Sequence, residues 1–307
     1  MLFSIVMPIY KTDKETIKRA LNSILNQSYT QWELFIVDDN MKNSSYKDIV
    51  RMLKDEISDP RIQFIIGEDN YGANHARNIG VNAAQGDWCA FLDADDTWEK
   101  SYLLDSLKII NNNPEVDLIS SSYKIVTRNR EVKIKLDYPK GNYYLKELER
   151  DRISPTSAVM VRRKKLLSIG GFDEKLPARQ DYDTWLRLAQ NSMFAFNPNY
   201  ECFIYRDGHA SISTNYMNHV KGTLLVLDKI RNKVMPNEFT VIAQSHYIYI
   251  ANYCLQFNDF KLAKEYATKC SALKESKRII LICNHPKLYL SVKKTLQNCA
   301  RLVKKKR

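Results

Sequence analysis

Several features are scarce in this 307-residue chain, and each scarcity removes a class of protein. The six cysteines, at 89, 202, 254, 270, 283 and 299, stand singly. Without a CxxC pair or the cysteine density of a stapled secreted domain, they exclude a cysteine-rich zinc module and a disulfide scaffold. They are expected to stay reduced in a cytoplasmic setting. Nine glycines and nine prolines are too few for a long low-complexity or disordered tract. No run of about 18 apolar residues occurs, and residues 1–8 carry neither a basic stretch nor a long apolar one, so neither a membrane span nor a signal peptide is predicted. No GxGxxG follows the first strand-like run, which disfavours dinucleotide binding.

What is present describes a folded protein with an uneven charge. Apolar residues are 44% and charged residues 27% of the chain, close to the globular norm, and at roughly 150 residues per domain the length allows one large or two modest domains. The 47 Lys and Arg outnumber the 35 Asp and Glu, a formal net charge of +12, which suggests a polyanionic partner. The surplus is local. Residues 1–219 hold 29 basic and 30 acidic side chains, whereas residues 220–307 hold 18 and 5. A boundary is therefore expected near residue 218, between a near-neutral domain (1–217) and a basic, helical C-terminal region (218–307).

The first hundred residues alternate strand and helix patterns. An apolar run over 2–7 precedes Thr12 and Glu15, spaced as a capping box, and then Ile17, Ala20, Leu21, Ile24 and Leu25 at helical intervals. The cycle repeats as a strand over 34–37, a helix with Tyr46, Ile49, Val50, Leu53 and Ile57, a strand over 62–66, a helix over 73–84 and a strand over 88–92. Repeated βα units predict an α/β fold with a doubly wound, mostly parallel sheet, in which ligands bind beyond the carboxyl ends of the strands. Two of those ends are acidic here: Asp38-Asp39, and Asp93-Ala94-Asp95-Asp96. Short strands over 118–126, 132–136, 158–162 and 201–206, with a helix over 181–190, extend the pattern; helices fill the chain from about 218.

Three carboxylates after an apolar strand repel one another unless a cation joins them, so the DxD triplet reads as a Mg²⁺ or Mn²⁺ site bridging to substrate phosphates, or as a solvated acidic turn. Its company is more specific. Ile5 to Tyr10, Val37-Asp38-Asp39-Asn40, Asn70-Tyr71-Gly72, Ala76 to Gly80, Gly86-Asp87, Phe91 to Asp96, Gly170 to Glu174 and Gln180 to Leu186 follow in one order. In that conjunction, over about residues 3–210, the chain resembles the family 2 inverting glycosyltransferases with the GT-A fold, as found in bacterial capsule, O-antigen and lipopolysaccharide synthesis.

The resemblance implies a metal-dependent transfer of a sugar from a nucleotide donor, UDP-linked by preference, to a hydroxyl of a surface glycan or lipid-linked acceptor. It assigns Asp39 to the nucleobase, where a carboxylate accepts from a ring N–H; a turn-capping role is the alternative there and the expected role of Asp38. Pro8 and Tyr10 match the loop framing the base, with core packing the other reading of Tyr10. Arg77 falls near base and phosphates, or else in an ion pair. Asp93 and Ala94 belong to the donor site, Asp95 to the metal, and Asp96 to the cap of a helix beginning near Lys100. Asp181 matches the catalytic base, with Gln180 where many relatives carry Glu, and also suits a helix cap. His209, in Arg206-Asp207-Gly208-His209, matches a histidine that completes the metal shell or meets the diphosphate. Gly72, Gly80, Gly170 and Gly171 are expected to serve backbone geometry.

Two rivals remain at this level, a sugar-nucleotide pyrophosphorylase and a non-catalytic nucleotide-sugar-binding scaffold subunit. The first wants a basic, Gly-rich loop after the first strand, where Met7-Pro8-Ile9-Tyr10-Lys11-Thr12 stands instead. Nucleic acid is disfavoured by the acidic cluster and the lack of a recognition motif. The C-terminal stripe of Leu288, Val292, Leu296, Cys299 and Val303, with Lys287, Lys293, Lys294, Arg301 and residues 304–307, reads as a basic amphipathic helix against anionic lipid, or as an ordinary bundle helix with a basic tail. The expected location is cytoplasmic, peripheral to the inner membrane face.

Overall fold

A computed structural model describes residues 1–143, 155–206 and 215–291. The chain separates into two compact units, Met1–Ala210 and Ser211–Arg307.

In the first unit the βα units form as the pattern predicts. β1 (Phe3–Ile9) leads into α1 (Lys14–Leu25), β2 (Trp32–Asp38), α2 (Ser45–Glu56), β3 (Ile62–Ile66), α3 (Ala73–Ala83) and β4 (Trp88–Phe91). Then come β5 (Thr97–Trp98), α4 (Tyr102–Asn112), β6 (Val116–Thr127), β7 (Arg130–Ile134), a 3₁₀ turn (Thr156–Ala158), β8 (Val159–Arg162), α5 (Arg163–Ser168), α6 (Gln180–Ala189) and β9 (Met193–Tyr205). The strands lie in the order β3-β2-β1-β4-β8-β6-β9-β5, with β7 beside β6. From the pairings, β1, β2, β3, β4, β6 and β9 run one way and β5, β7 and β8 run against them. Because β2 lies on one side of β1 and β4 on the other, the order reverses at β1. The crevice at such a reversal is where doubly wound sheets take their ligands.

Alternation along β1 supplies both faces. Phe3, Ile5, Met7 and Ile9 join a core with Ile17, Ala20, Leu21 and Ile24 of α1 and Val50 and Leu53 of α2. Val6 faces the other way, with Phe35, Val37, Ala76 and Val81, and with Trp185 and Leu188 of α6. Period-2 side-chain direction on a strand covered on both sides requires apolar residues at successive positions, hence the unbroken run. Gly80 lets α3 lie close on β1: a Cβ there would stand 2.4 Å from Val6 Cγ1.

Three local expectations change. The cap of α1 is Asp13, whose Oδ1 accepts from Thr16 N at 3.0 Å, so the Thr12–Glu15 box is displaced by one residue. α4 starts after Ser101 without a side-chain cap, and Asp96 is engaged elsewhere. In α2 the buried face is Lys47, Val50 and Leu53, while Tyr46 is only half-buried.

The second unit contains α7 (Tyr216–Arg231), α8 (Pro236–Gln256), α9 (Phe260–Thr268) and α10 (Lys274–Asn284). Its own core gathers Ile250, Ala251, Cys254, Ala263, Ala267, Cys270 and Ile279. α10 is an element that the sequence reading did not single out. No helix among the described residues is long and apolar enough to cross a membrane.

Candidate active site

The carboxyl ends of β1, β2 and β3 form one corner of the site. Asp38 closes a turn: its Oδ1 accepts from Asn40 N at 3.0 Å and Asn40 Nδ2 at 2.8 Å, the turn role expected of it. Asp39 is drawn toward the third strand's loop. Its carboxylate accepts from Tyr71 N at 2.8 Å, Gly72 N at 3.0 Å and Asn70 Nδ2 at 3.2 Å. Burial pushes the Asp39 pKa above the usual carboxylate value, opposed by the Tyr71 and Gly72 N–H groups. Pro8 lies within β1 opposite Val37. Tyr10, just past the strand, is 42% exposed and so is not core packing; Met41 and Tyr71, past β2 and β3, are also exposed. Three exposed large side chains thus stand on the loops after β1, β2 and β3, where the Asp39 carboxylate already holds backbone donors.

The second corner is the acidic turn after β4. Asp93 and Asp95 are half-buried, whereas Ala94 and Asp96 are buried. Arg77 of α3, 3% exposed, donates from Nη2 to Asp93 Oδ1, so the ion-pair reading of Arg77 is realised. Its Nε and Nη1 are buried without a hydrogen-bond partner among the described residues. Buried, unused donors on a fixed guanidinium fork are costly unless an acceptor arrives. Arg19 Nη2 donates to the carbonyl of Asp95 at 2.8 Å.

Asp96 ties this turn to two other segments: its Oδ2 accepts from Ser157 Oγ at 2.6 Å and its Oδ1 from Tyr205 N at 3.1 Å. The same hydroxyl accepts from Asp93 N at 3.1 Å. Burial, then the Asp95 and Asp93 charges, push the Asp96 pKa well up. Asp96 is therefore a cross-link of the turn to β9, not a helix cap.

The third corner is the loop before α6. Gly170 and Gly171 have φ of +77° and +70°, conformations that glycine adopts without penalty. α3 holds this loop: Asn78 Nδ2 donates to Phe172 O at 2.9 Å, Phe172 N donates to Asn78 Oδ1 at 2.8 Å, and Asn74 Nδ2 donates to Asp173 O at 2.8 Å. Phe172 packs edge-on against Phe91 of β4 and Trp185 of α6, with the Arg77 guanidinium 5.7 Å from its ring. α6 follows Arg179, which is buried at φ +67°. Asp181 is the second helical residue, half-exposed, its Oδ1 accepting from Tyr182 N at 2.8 Å; the cap position belongs to Arg179. Asp183 is buried and pairs with Arg187 at 2.8 Å. α3 thus binds the acidic turn through Arg77 and, through Asn78 next to it in sequence, the loop that leads into α6.

Among the described residues no group of three His, Cys, Asp or Glu side chains converges as a metal cage. Asp95 is half-buried, and its carboxylate suits a hard divalent cation that completes its shell with substrate phosphate oxygens, a common arrangement for Mg²⁺, whereas Asp93 is engaged by Arg77. His209 lies outside the described residues. Sequence reasoning missed Lys47 and Ser157, both buried and both hydrogen-bonded to the loops that carry the aspartates.

A doubly wound sheet with acidic turns at its reversal point defines the class, a nucleotide-diphospho-sugar transferase of GT-A fold. The family model described as "Glycosyl transferase family 2" matches residues 4–169, and the chain belongs to that family. It is 31% identical over 221 residues to the UDP-Glc:alpha-D-GlcNAc-diphosphoundecaprenol beta-1,3-glucosyltransferase WfgD of Escherichia coli, covering 72% of this chain and 83% of that one. It is 30% identical over 230 residues to the putative teichuronic acid biosynthesis glycosyltransferase TuaG of Bacillus subtilis, covering 75% and 88%.

Solved structures agree in fold. TarS 1-349 of S. aureus in complex with UDP-GlcNAc superposes with a TM-score of 0.65 at 16% identity, covering 92% of this chain and 90% of that one. The mannosyltransferase PcManGT from Pyrobaculum calidifontis, in complex with GDP-Man and Mn²⁺, gives 0.61 at 18% identity, covering 94% and 80%. The protein is a glycosyltransferase, and the pyrophosphorylase and scaffold readings fall away with its family membership.

Proposed function

We propose that this glycosyltransferase inverts configuration as it moves a sugar from a UDP-sugar to a hydroxyl of a surface-glycan or lipid-linked acceptor, with Asp181 as base. The observation that supports this reading is that consecutive residues of α3 hold the acidic turn, through Arg77 and Asp93, and the Phe172 backbone of the loop leading to Asp181, through Asn78. The acceptor oxygen forms its bond to the anomeric carbon as the bond from that carbon to the diphosphate oxygen breaks. The bonding pair leaves with the nucleoside diphosphate, and the acceptor proton passes to the Asp181 carboxylate. The unused Nε and Nη1 of Arg77 are suited to oxygens of the departing diphosphate. Asp39, with Pro8 and Tyr10 beside it, addresses the base, and Asp93 and Ala94 the sugar nucleotide.

A divalent cation, Mn²⁺ or Mg²⁺, held by Asp95 with His209, would supply positive charge against the leaving diphosphate. The uracil preference is supported by the UDP-Glc in the name of the 31%-identical relative. The surplus of positive charge after residue 220 favours work at an anionic membrane surface on the cytoplasmic side.

A panel of UDP- and GDP-sugars with and without Mn²⁺ tests the reading, with nucleoside diphosphate release and acceptor-linked sugar both measured. Chelation is expected to abolish transfer and Mn²⁺ to restore it. Asp181→Asn is expected to lower transfer about 10²- to 10⁴-fold, the usual range for a general base, with UDP binding unchanged. Transfer by Asp181→Asn near the wild-type rate would show that another group takes the proton.

A further inference from the structure

We infer that Lys47 is a positioning residue that sets the nucleobase specificity of the donor site, although it touches no part of the donor. The inference rests on the reading that the base binds at Asp39. Lysine is rarely buried without partners to match its three donors, and here the residue is 2% exposed. Its Nζ donates to the carbonyl of Asn40 at 3.0 Å and to the carbonyl of Gly67, and stands 3.5 Å from Asp38 Oδ2. These acceptors belong to two loops: Asp38 and Asn40 at the end of β2, Gly67 at the end of β3.

Around this ammonium the chain is cross-braced. Gly67 N donates to Asp38 O at 3.1 Å, and a Cβ at Gly67 would stand 2.6 Å from that oxygen, so the two loops touch backbone to backbone. The side chain of Asn40 reaches the third loop, its Oδ1 accepting from Lys11 N at 2.8 Å, while Asp39 N donates to Ile9 O at 2.9 Å. Lys47 is thus the cation that fixes the spacing of the loops bearing Tyr10, Asp39 and Tyr71.

The consequence is selectivity. Asp39 already accepts from Tyr71 N and Gly72 N, so its remaining acceptor directions depend on where the 67–72 loop stands. Uracil and guanine both present a ring N–H, on rings of different size. A carboxylate alone does not distinguish them, but a fixed gap between loops does. Without the ammonium, the carbonyls of Asn40 and Gly67 lose their common donor, and the Gly67 N to Asp38 O bond is left to hold the gap.

The test compares wild-type protein with Lys47→Met and with the double variant Asp38→Asn/Lys47→Met, which removes the buried charge pair together so that no lone buried charge remains. UDP, UMP and GDP binding are measured by calorimetry with Mn²⁺ present, and folding by circular dichroism. Weakening of UDP and UMP by a similar factor, about tenfold or more, with the UDP-to-GDP preference reduced in whichever variant folds, supports the proposal. A merely structural lysine would lower the melting temperature and leave the affinities and the preference of the folded protein unchanged, which overturns it. Failure of wild-type protein to bind any of the three nucleotides would instead overturn the reading of the Asp39 corner itself.

Discussion

Glu201 and Asp105 approach one another beside the start of α4, and between them they hold a proton into the neutral range. Burial pushes Glu201 up to about 7, opposed by the Ser101 hydroxyl that donates to it and reinforced by the hydrogen bond and charge of Asp105; Asp105 is held lower, against its own burial, by hydrogen bonds that include one from Glu201. Because the folded state binds the Glu201 proton more tightly than the unfolded chain, this group's contribution to stability is complete below about 4.5 and is lost as pH rises through about 7. Glu201→Gln is therefore expected to gain melting temperature relative to wild type between pH 5 and pH 8, read by paired thermal melts. A constant difference across that range would refute the shifted carboxyl. Residues of this kind were not legible in the sequence: Glu201, Lys47 and Ser157 belong to no motif, and their roles come from partners 61 to 100 positions away or, for Lys47, from burial that a helix pattern does not forecast for a charged side chain. The aspartates of the acidic turn were legible because repulsion among adjacent carboxylates is itself a sequence property. Asp96 was assigned to the wrong partner because Ser157 and Tyr205 are remote in the chain.

Among the elements, α3 lies close on β1 at Gly80. Gly80→Ala would drive a methyl group into Val6, and overpacking of this sort costs about 1–3 kcal/mol; the double change with Val6→Ala is expected to recover part of it in urea melts, since the two sites share one space. At the start of α1, Asp13→Ala is expected to cost about 1 kcal/mol as a lost helix cap, and Glu15→Ala much less. The reverse order would restore the Thr12–Glu15 box. The βα register from β1 to β4 was legible throughout, because strands covered on both faces and helices with one apolar stripe leave different periods. The fourth helix of the C-terminal unit was not, since α9 ends and α10 begins within a short stretch, 269–273, that carries no glycine or proline to mark the break.

For the whole molecule, the charge division is the main physical asymmetry. The unit with the acidic turn is near-neutral, and the helical one carries most of the basic surplus. If the C-terminal positive charge meets anionic lipid, the full chain is expected to co-sediment with phosphatidylglycerol vesicles at low salt and to release as salt shortens the screening length to about 8 Å near 0.15 M. A chain ending at Asn284 is expected to release earlier; equal retention of both would remove the tail from the interaction. The division was legible from residue counts alone. The site needed three dimensions, since the Asp39 loop, the acidic turn and the Asp181 loop come from distant parts of the chain.

The double hydrogen bond of Asn78 to Phe172 bears on any attempt to recombine this enzyme with its relatives. A crossover placed between α3 and the 170–190 segment would separate Asn74 and Asn78 from the loop whose backbone they hold. Segments exchanged at that point would meet with mismatched partners. A hybrid that carries the asparagines along with the loop keeps the two segments in register, so the block that has to be inherited together is discontinuous in sequence.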